Sequence, residues 1–243
     1  MKRLFVICTS VRFVLHWIYY LLASNKELIN ADLNRNLNQF IRRIPLEVYR
    51  KPSFIEFCFL MTFYTMFRNI FYARVGNRHH FYAKFLSIFA SPQPLLDISE
   101  TSDIGGGLIV QHGYGTIISP AKMGRNCWVN QGVSIGHRSE NGQPIIGDNV
   151  RIAAGALVLG PLKIGRGATI APGAIVMKNV PDYAIVIGNP AKITGFTMSP
   201  KEVVEYEKSH YAVEEQIPMK KLEKNFEKYY MNRRNEIADY LNN

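Results

Sequence analysis

Cysteine is scarce: only Cys8, Cys58 and Cys127 among 243 residues carry a thiol. They are odd in number and far apart, which excludes a disulfide framework and the paired spacing of a zinc module, and favours a reducing compartment. No grouping of His, Cys, Asp and Glu has metal-ligand spacing, so no metal is expected. Acidic residues are also short, with 19 Asp and Glu against 29 Lys and Arg, leaving a formal charge of +10. Such a surface attracts anions, from nucleic acid and lipid headgroups to phosphorylated cosubstrates and acidic glycans. The first of these needs a recognisable module, and none of the usual ones is present. A clean membrane-spanning run is missing too. The apolar stretch 4–23 has Arg12 and His16 in its middle, and no small-residue cleavage site follows it. A charge at mid-span costs about 2.5–3.5 kcal/mol on insertion scales. The stretch reads as a helix that packs on protein or lies on a membrane surface, with Lys2, Arg3 and Arg12 toward anionic headgroups. The aromatic stretch 54–67 carries Glu56. Core helices of a small helical domain are the simpler reading of both.

What is abundant is a repeat. Ile146, Ile152, Val158, Ile164, Ile170 and Val176 recur every six residues, and Val150, Ala156, Leu162, Ala168 and Ala174 follow four positions after the first five of them. Neither a helix nor an alternating strand has a period of six. The pattern predicts a parallel β-helix of hexapeptides, with three short strands to a coil and the aliphatic residues stacked inward about 4.8 Å apart. Met123, Val129 and Ile135 keep the spacing, as do Ile98, Ile104 and Val110. Between Val110 and Met123 the count is one residue too long, which predicts a bulged corner. Between Ile135 and Ile146 it is five too long, and the polar run from His137 to Gln143 should loop outward, where ligands are met. Cys127 falls on an inward position and reads as packing rather than as a nucleophile.

Three regions follow. Residues 1–95 read as an α-helical domain with helices over 25–41, 54–75 and 80–89, closed by Ser91-Pro92-Gln93-Pro94. Residues 96–195 hold the β-helix, whose period breaks at 180–184 and whose open end should be covered by 185–193. Residues 196–243 form a charged helical extension opened by Ser199-Pro200-Lys201-Glu202, a capping box with proline in the first turn. Its Lys220, Lys221, Lys224 and Lys228 read as a solvated face.

Several phrases together resemble the serine acetyltransferase family: Asp97-Ile98-Ser99, the run from Gly105 to His112, the repeats, and Gly188-Asn189-Pro190-Ala191-Lys192. The likeness is close over about 96–195 and extends weakly to the run from Ile29 to Arg35. The phrase from Gln131 to His137 is similar to the branch associated with surface polysaccharides. The resemblance implies a left-handed β-helix, acetyl-CoA as cosubstrate, a homotrimer, and a groove between neighbouring rods. It implies His112 as catalytic base, oriented by Asp97. A neutral imidazole would take the proton of a hydroxyl as its oxygen attacks the thioester, and the carboxylate would steady the imidazolium. Aligned by the repeats, His137, Ala154, Thr169 and Pro172 fall where the resemblance implies contact with the pantetheine arm, and Ala153 and Ala154 are small enough to admit it. Lys192, with Lys178 or Arg166, is a candidate for the phosphates.

Two departures bear on the acceptor. Serine-specific members carry an aspartate where this chain has Gln111, and an Arg-His-Pro phrase where it has Gly142-Gln143-Pro144. Gln111, His137 and Gln143 suit sugar hydroxyls better than an ammonium group. The expectation is an O-acetyltransferase acting on a surface glycan, cytoplasmic, with contact to the inner face of a membrane. The alternatives are serine O-acetylation and, from another class, a non-catalytic β-helix scaffold.

Overall fold

The computed structural model describes residues 6, 9–39, 51–138 and 142–229. Lys2, Arg3, Cys8, residues 40–50, the tip 139–141 of the outward loop and residues 230–243 lie outside that set. Residues 96–187 wind as a parallel β-helix with three faces. Face one stacks β1 (Leu96–Ile98), β4 (Thr116–Ile118), β7 (Ser134–Gly136), β10 (Leu157–Leu159) and β13 (Ile175–Val176). Face two stacks β2 (Asp103–Ile104), β5 (Lys122–Met123), β8 (Ile145–Ile146) and β11 (Lys163–Ile164). Face three stacks β3 (Ile109–Gln111), β6 (Trp128–Asn130), β9 (Arg151–Ile152), β12 (Thr169–Ile170) and β14 (Ala184–Ile187). The sixfold period becomes three buried columns. Ile98, Ile118, Ile135, Val158 and Val176 stack under face one. Ile104, Met123, Ile146 and Ile164 stack under face two, and Val110, Val129, Ile152, Ile170 and Val186 under face three. Each fully buried side chain of this size is worth about 1.5–3 kcal/mol, which explains why the columns hold their register.

The top edge is closed, as the break in the period at 180–184 suggests. β15 (Lys192–Phe196) turns back antiparallel on β14. Beyond it, α5 (Pro200–His210) starts with the expected capping box between Ser199 and Glu202. A further helix runs over 219–229. The extension is fastened through Glu207, 1% exposed, which accepts from Arg166 Nη1 (3.0 and 3.1 Å), Tyr183 Oη (2.8 Å) and the Ile217 amide (2.7 Å). The lysine face is exposed as read, although Lys221 also pairs with Asp182 at 2.6 Å.

The helical layer comprises a 3-10 turn (Ser10–Phe13), α1 (Val14–Leu22), α2 (Lys26–Leu37), α3 (Phe54–Phe63) and α4 (Thr65–Ser87). The single helix expected over 54–75 is two, broken at Tyr64 (φ −118°, ψ 80°). Arg68 makes the break affordable by turning back to donate to the carbonyls of Met61 (2.5 Å) and Thr62 (3.3 Å), which a helix end would leave open. α4 itself carries a non-helical His79 (φ −146°, ψ 66°). Phe13, Phe57, Phe67 and Phe71 fill the core.

His16, in the middle of the apolar N-terminal stretch, is fully buried. Its Nε2 lies 3.0 Å from Tyr72 Oη, whose hydroxyl donates to Ala90 O at 2.6 Å. With that proton committed, His16 Nε2–H is the donor of the pair. Burial, aided by the cations Arg68 and Arg12, lowers its pKa to about 4. A histidine held neutral in the folded state adds stability that is complete above its unfolded pKa and lost as pH falls through the folded one. We expect acidification from about pH 6.5 to about pH 4 to remove about 3 kcal/mol from this site. Urea midpoints of the native chain and of His16→Gln across that range check this, and parallel pH profiles would remove the assignment.

Candidate functional site

The approach to His112 is built by the helical layer. Asp32 of α2 is 1% exposed. Its carboxylate accepts from the Gly107 and Leu108 amides (2.8 and 2.9 Å) and from Arg74 Nε (2.8 Å). Arg74 in turn donates to the carbonyls of Ile104 (2.5 Å) and Gly105 (2.8 Å), and Asn36 donates to Leu108 O (3.0 Å). Residues 104–108 are therefore held at both donor and acceptor groups, immediately before β3 and the histidine. The glycines fit this clamp. A Cβ on Gly106 would lie 2.7 Å from that of Ala31 on α2, and Gly107 has φ +82°.

The corner after β3 differs from the corners above it. On the inward columns, Val129 to Ile135, Ile152 to Val158 and Ile170 to Val176 are each six residues apart. Val110 to Ile118 is eight, and Ile118 to Met123 is five. The one-residue surplus read from the sequence is thus two extra residues at this corner and one fewer at the next. The extra length lets His112 stand out of the corner, exposed, with φ +60°. A left-handed backbone costs an ordinary residue about 1–2 kcal/mol, so this histidine is held where its backbone does not prefer to be.

Above it on the same corner stack Asn130-Gln131, Ala153-Ala154 and Ala171-Pro172, as the strand register and the bonds Gly155 N to Gln131 O and Gly173 N to Ala154 O (both 2.9 Å) require. A Cβ on Gly115 or Gly173 would meet nothing within 4 Å. Small side chains beside open space fit an extended acyl carrier laid along the corner. Gln111, half-buried, ends β3 beside His112, and Lys192 begins β15 at the top of the same face. Thr169 lies one strand back on face three, between Arg151 and Ile185. One member of this corner escaped the sequence reading as a site residue: Gln131, whose Oε1 is buried without a hydrogen-bond partner.

Other expected members are elsewhere. Asp97 points outward from β1, one strand below Ile117. It and His112 are both exposed on neighbouring coils, and no hydrogen bond joins them among the described residues. His137, exposed, follows β7 at the far edge of face one, beyond the strand from the corner. Gln143 donates to Ser119 Oγ at 2.9 Å on that far side, and Lys178 follows β13 there. One chain therefore does not gather His137, Gln143 and Lys178 with His112. Arg166, the other phosphate candidate, is engaged: it serves buried Glu207 and stacks 3.8 Å over Tyr211. Cys127, 1% exposed with its thiol pushed up to about 12 by burial, is packing as read. A groove of about 690 Å³ between face two and the extension lies away from the histidine. Its lining charges are largely paired, as Lys122–Asp103, Arg166–Glu207 and Lys221–Asp182. Among the described residues no cluster could hold a metal ion.

Residues 143–178 match the family model described as bacterial transferase hexapeptide (six repeats). The chain is 40% identical over 105 residues to serine acetyltransferase 4 of Arabidopsis thaliana, covering 42% of this chain and 30% of that protein. It is 38% identical over 102 residues to the serine acetyltransferase of Bacillus pumilus, covering 40% and 47%. The chain thus spans less than half the length of these relatives. The solved serine acetyltransferase of Neisseria gonorrhoeae in complex with serine superposes with a TM-score of 0.54 at 27% identity, over 69% of this chain and 68% of that one. The Brucella abortus enzyme in complex with coenzyme A shares the fold, with a TM-score of 0.58 at 21% identity over 82% and 83%. The β-helix is left-handed and built of hexapeptide repeats, and the chain is similar to serine acetyltransferases in sequence and in fold.

Proposed function

We propose that this chain transfers an acetyl group from acetyl-CoA to a hydroxyl acceptor, with His112 as the base. The observation that carries the reading is the corner after β3, two residues longer than those above it, which projects the exposed imidazole of His112 below a ridge of small residues. His112 takes the hydroxyl proton as the oxygen attacks the thioester carbonyl. The tetrahedral intermediate collapses, the C–S bond breaks, and the imidazolium returns the proton to the departing CoA thiolate. Asp97, outward on the coil below, is the carboxylate this reading assigns to orient the ring, and it acts once the ring turns toward it.

The second half of the site comes from a neighbour in this reading. His137, Gln143 and Lys178 stand across face one from His112, and the three-residue strand between is about 10 Å long. A cyclic homotrimer sets one edge of each rod against the opposite edge of the next and makes a single groove from both. Lys192 and Lys178 then serve the phosphates, and Ala153, Ala154, Thr169 and Pro172 flank the arm. Acetyl-CoA is a cytoplasmic metabolite, which supports placing the enzyme there.

Two acceptors have specific support. The names of the relatives favour L-serine. Gln111 and Gln143, where serine-specific members of the family carry Asp and His, favour the neutral hydroxyl of a surface polysaccharide, because a glutamine offers no charge to an ammonium. Incubation with acetyl-CoA and either L-serine or purified glycan, read by mass spectrometry, is expected to give acetylated product with one of them. No product with either, together with no retention on a CoA resin, would leave the chain a scaffold.

A further inference from the structure

The charge of this protein is not spread over it. Residues 1–95 hold 13 Lys and Arg against 4 Asp and Glu, whereas residues 96–243 hold 16 against 15. Nine of the ten net positive charges thus fall in residues 1–95, and one of the four acids there, Asp32, is buried in its ion pair with Arg74. The helical layer also leaves apolar side chains in water. Val11 is 79%, Ile18 46% and Leu22 80% exposed, along one side of the first turn and α1. Phe81 is 75%, Phe85 41% and Ile88 75% exposed, along the second half of α4. Both triplets have helical spacing, so each is a stripe. The opposite sides of these segments, through His16, Tyr20, Ala83 and Leu86, are buried in the core. The two segments are neighbours: Tyr19 lies 6.4 Å, ring to ring, from His79 and from Tyr82. Arg12 and Lys84 are exposed at the borders of the stripes, Arg12 with its guanidinium 4.6 Å over the Phe13 ring.

We propose that this face of the helical layer docks on the surface of an anionic lipid bilayer. An apolar stripe edged by basic residues is the arrangement that lies in the headgroup region with its apolar side among the acyl chains, and tyrosines suit the boundary. The charge decides between occupants. A second copy would bring one strongly cationic layer against another, whereas an anionic leaflet gains from every basic residue near it. Spanning is a different matter. Among the described residues no single helix is long and apolar enough to cross a membrane, and the one bent pair of sufficient length, Phe54–Phe63 with Thr65–Gly76, spends Phe57, Phe67 and Phe71 on the core.

Cosedimentation of the full chain with vesicles tests this without reference to activity. Binding is expected to vesicles containing phosphatidylglycerol, to weaken with salt, and to be lost on pure phosphatidylcholine. Arg12→Gln with Lys84→Gln should weaken it about fivefold for each charge removed. Ile18→Asp with Phe85→Asp should weaken it about tenfold or more. Both pairs are exposed, and an unchanged melting temperature verifies the fold. No binding to phosphatidylglycerol vesicles, or equal binding to both compositions, overturns the proposal. So does an assembly that the apolar variants dissolve while vesicle binding is absent, which would assign the stripes to a second copy.

Discussion

Replacing His112 with alanine is expected to lower acceptor-dependent release of CoA by about 10³-fold, within the range that a positioned general base contributes. The ring is exposed and makes no side-chain hydrogen bond among the described residues, so the melting temperature should stay as it is. Alanine also removes a side chain from a backbone at φ +60°, which mixes strain with chemistry. His112→Asn separates them, because asparagine tolerates the left-handed region far better than most residues. It should keep the corner and be as inactive as the alanine variant. A thiol-reactive dye can read the released CoA against a blank without acceptor, which accounts for Cys8, while burial pushes the thiols of Cys58 and Cys127 up to about 12 and keeps both protonated at assay pH. An asparagine variant within a few-fold of the native rate would take the base assignment away from His112.

The repeat was legible because burial inside a narrow prism tolerates little else. An inward position must be aliphatic, and the columns from Ile98 to Val186 obey that without help from distant sequence. The departures were legible only in sum. Counting residues between Val110 and Met123 shows one too many, but two were added at one corner and one removed at the next, and the sum hides which corner projects the histidine. The break at Tyr64 has no glycine or proline to announce it, since Arg68 supplies the missing bonds from the next helix. His137 and Gln143 are assigned to the site through the family resemblance, which carries no information on which rod supplies them; the strand of face one separates them from His112, and only a second rod reunites them in the proposed trimer. Asp32 is the largest omission. It reads as one polar residue among Asn34, Arg35 and Asn36 on a helix, and nothing local distinguishes a solvated carboxylate from one that organises a loop 75 residues away.

That carboxylate carries the second large effect. Asp32→Asn is expected to cost about 3–5 kcal/mol, the penalty for stranding one member of a buried ion pair. Arg74, 8% exposed, would keep its charge with no counter-ion, and one amide oxygen cannot receive what two carboxylate oxygens now accept from Gly107, Leu108 and Arg74. Removing the cation as well should not restore stability. Asp32→Leu with Arg74→Met would leave the amides of Gly107 and Leu108 and the carbonyls of Ile104 and Gly105 buried without these partners, each costing about 1–3 kcal/mol. An ion pair that merely joined two helices could be exchanged for apolar residues at little cost. One that also holds four backbone groups of a loop cannot. Denaturant unfolding of the single and double variants distinguishes the two, and a double variant as stable as the native chain would show that the loop holds its own shape. Because residues 104–108 lead directly into β3, turnover by whatever fraction stays folded should fall too, through a misplaced His112 rather than a missing one.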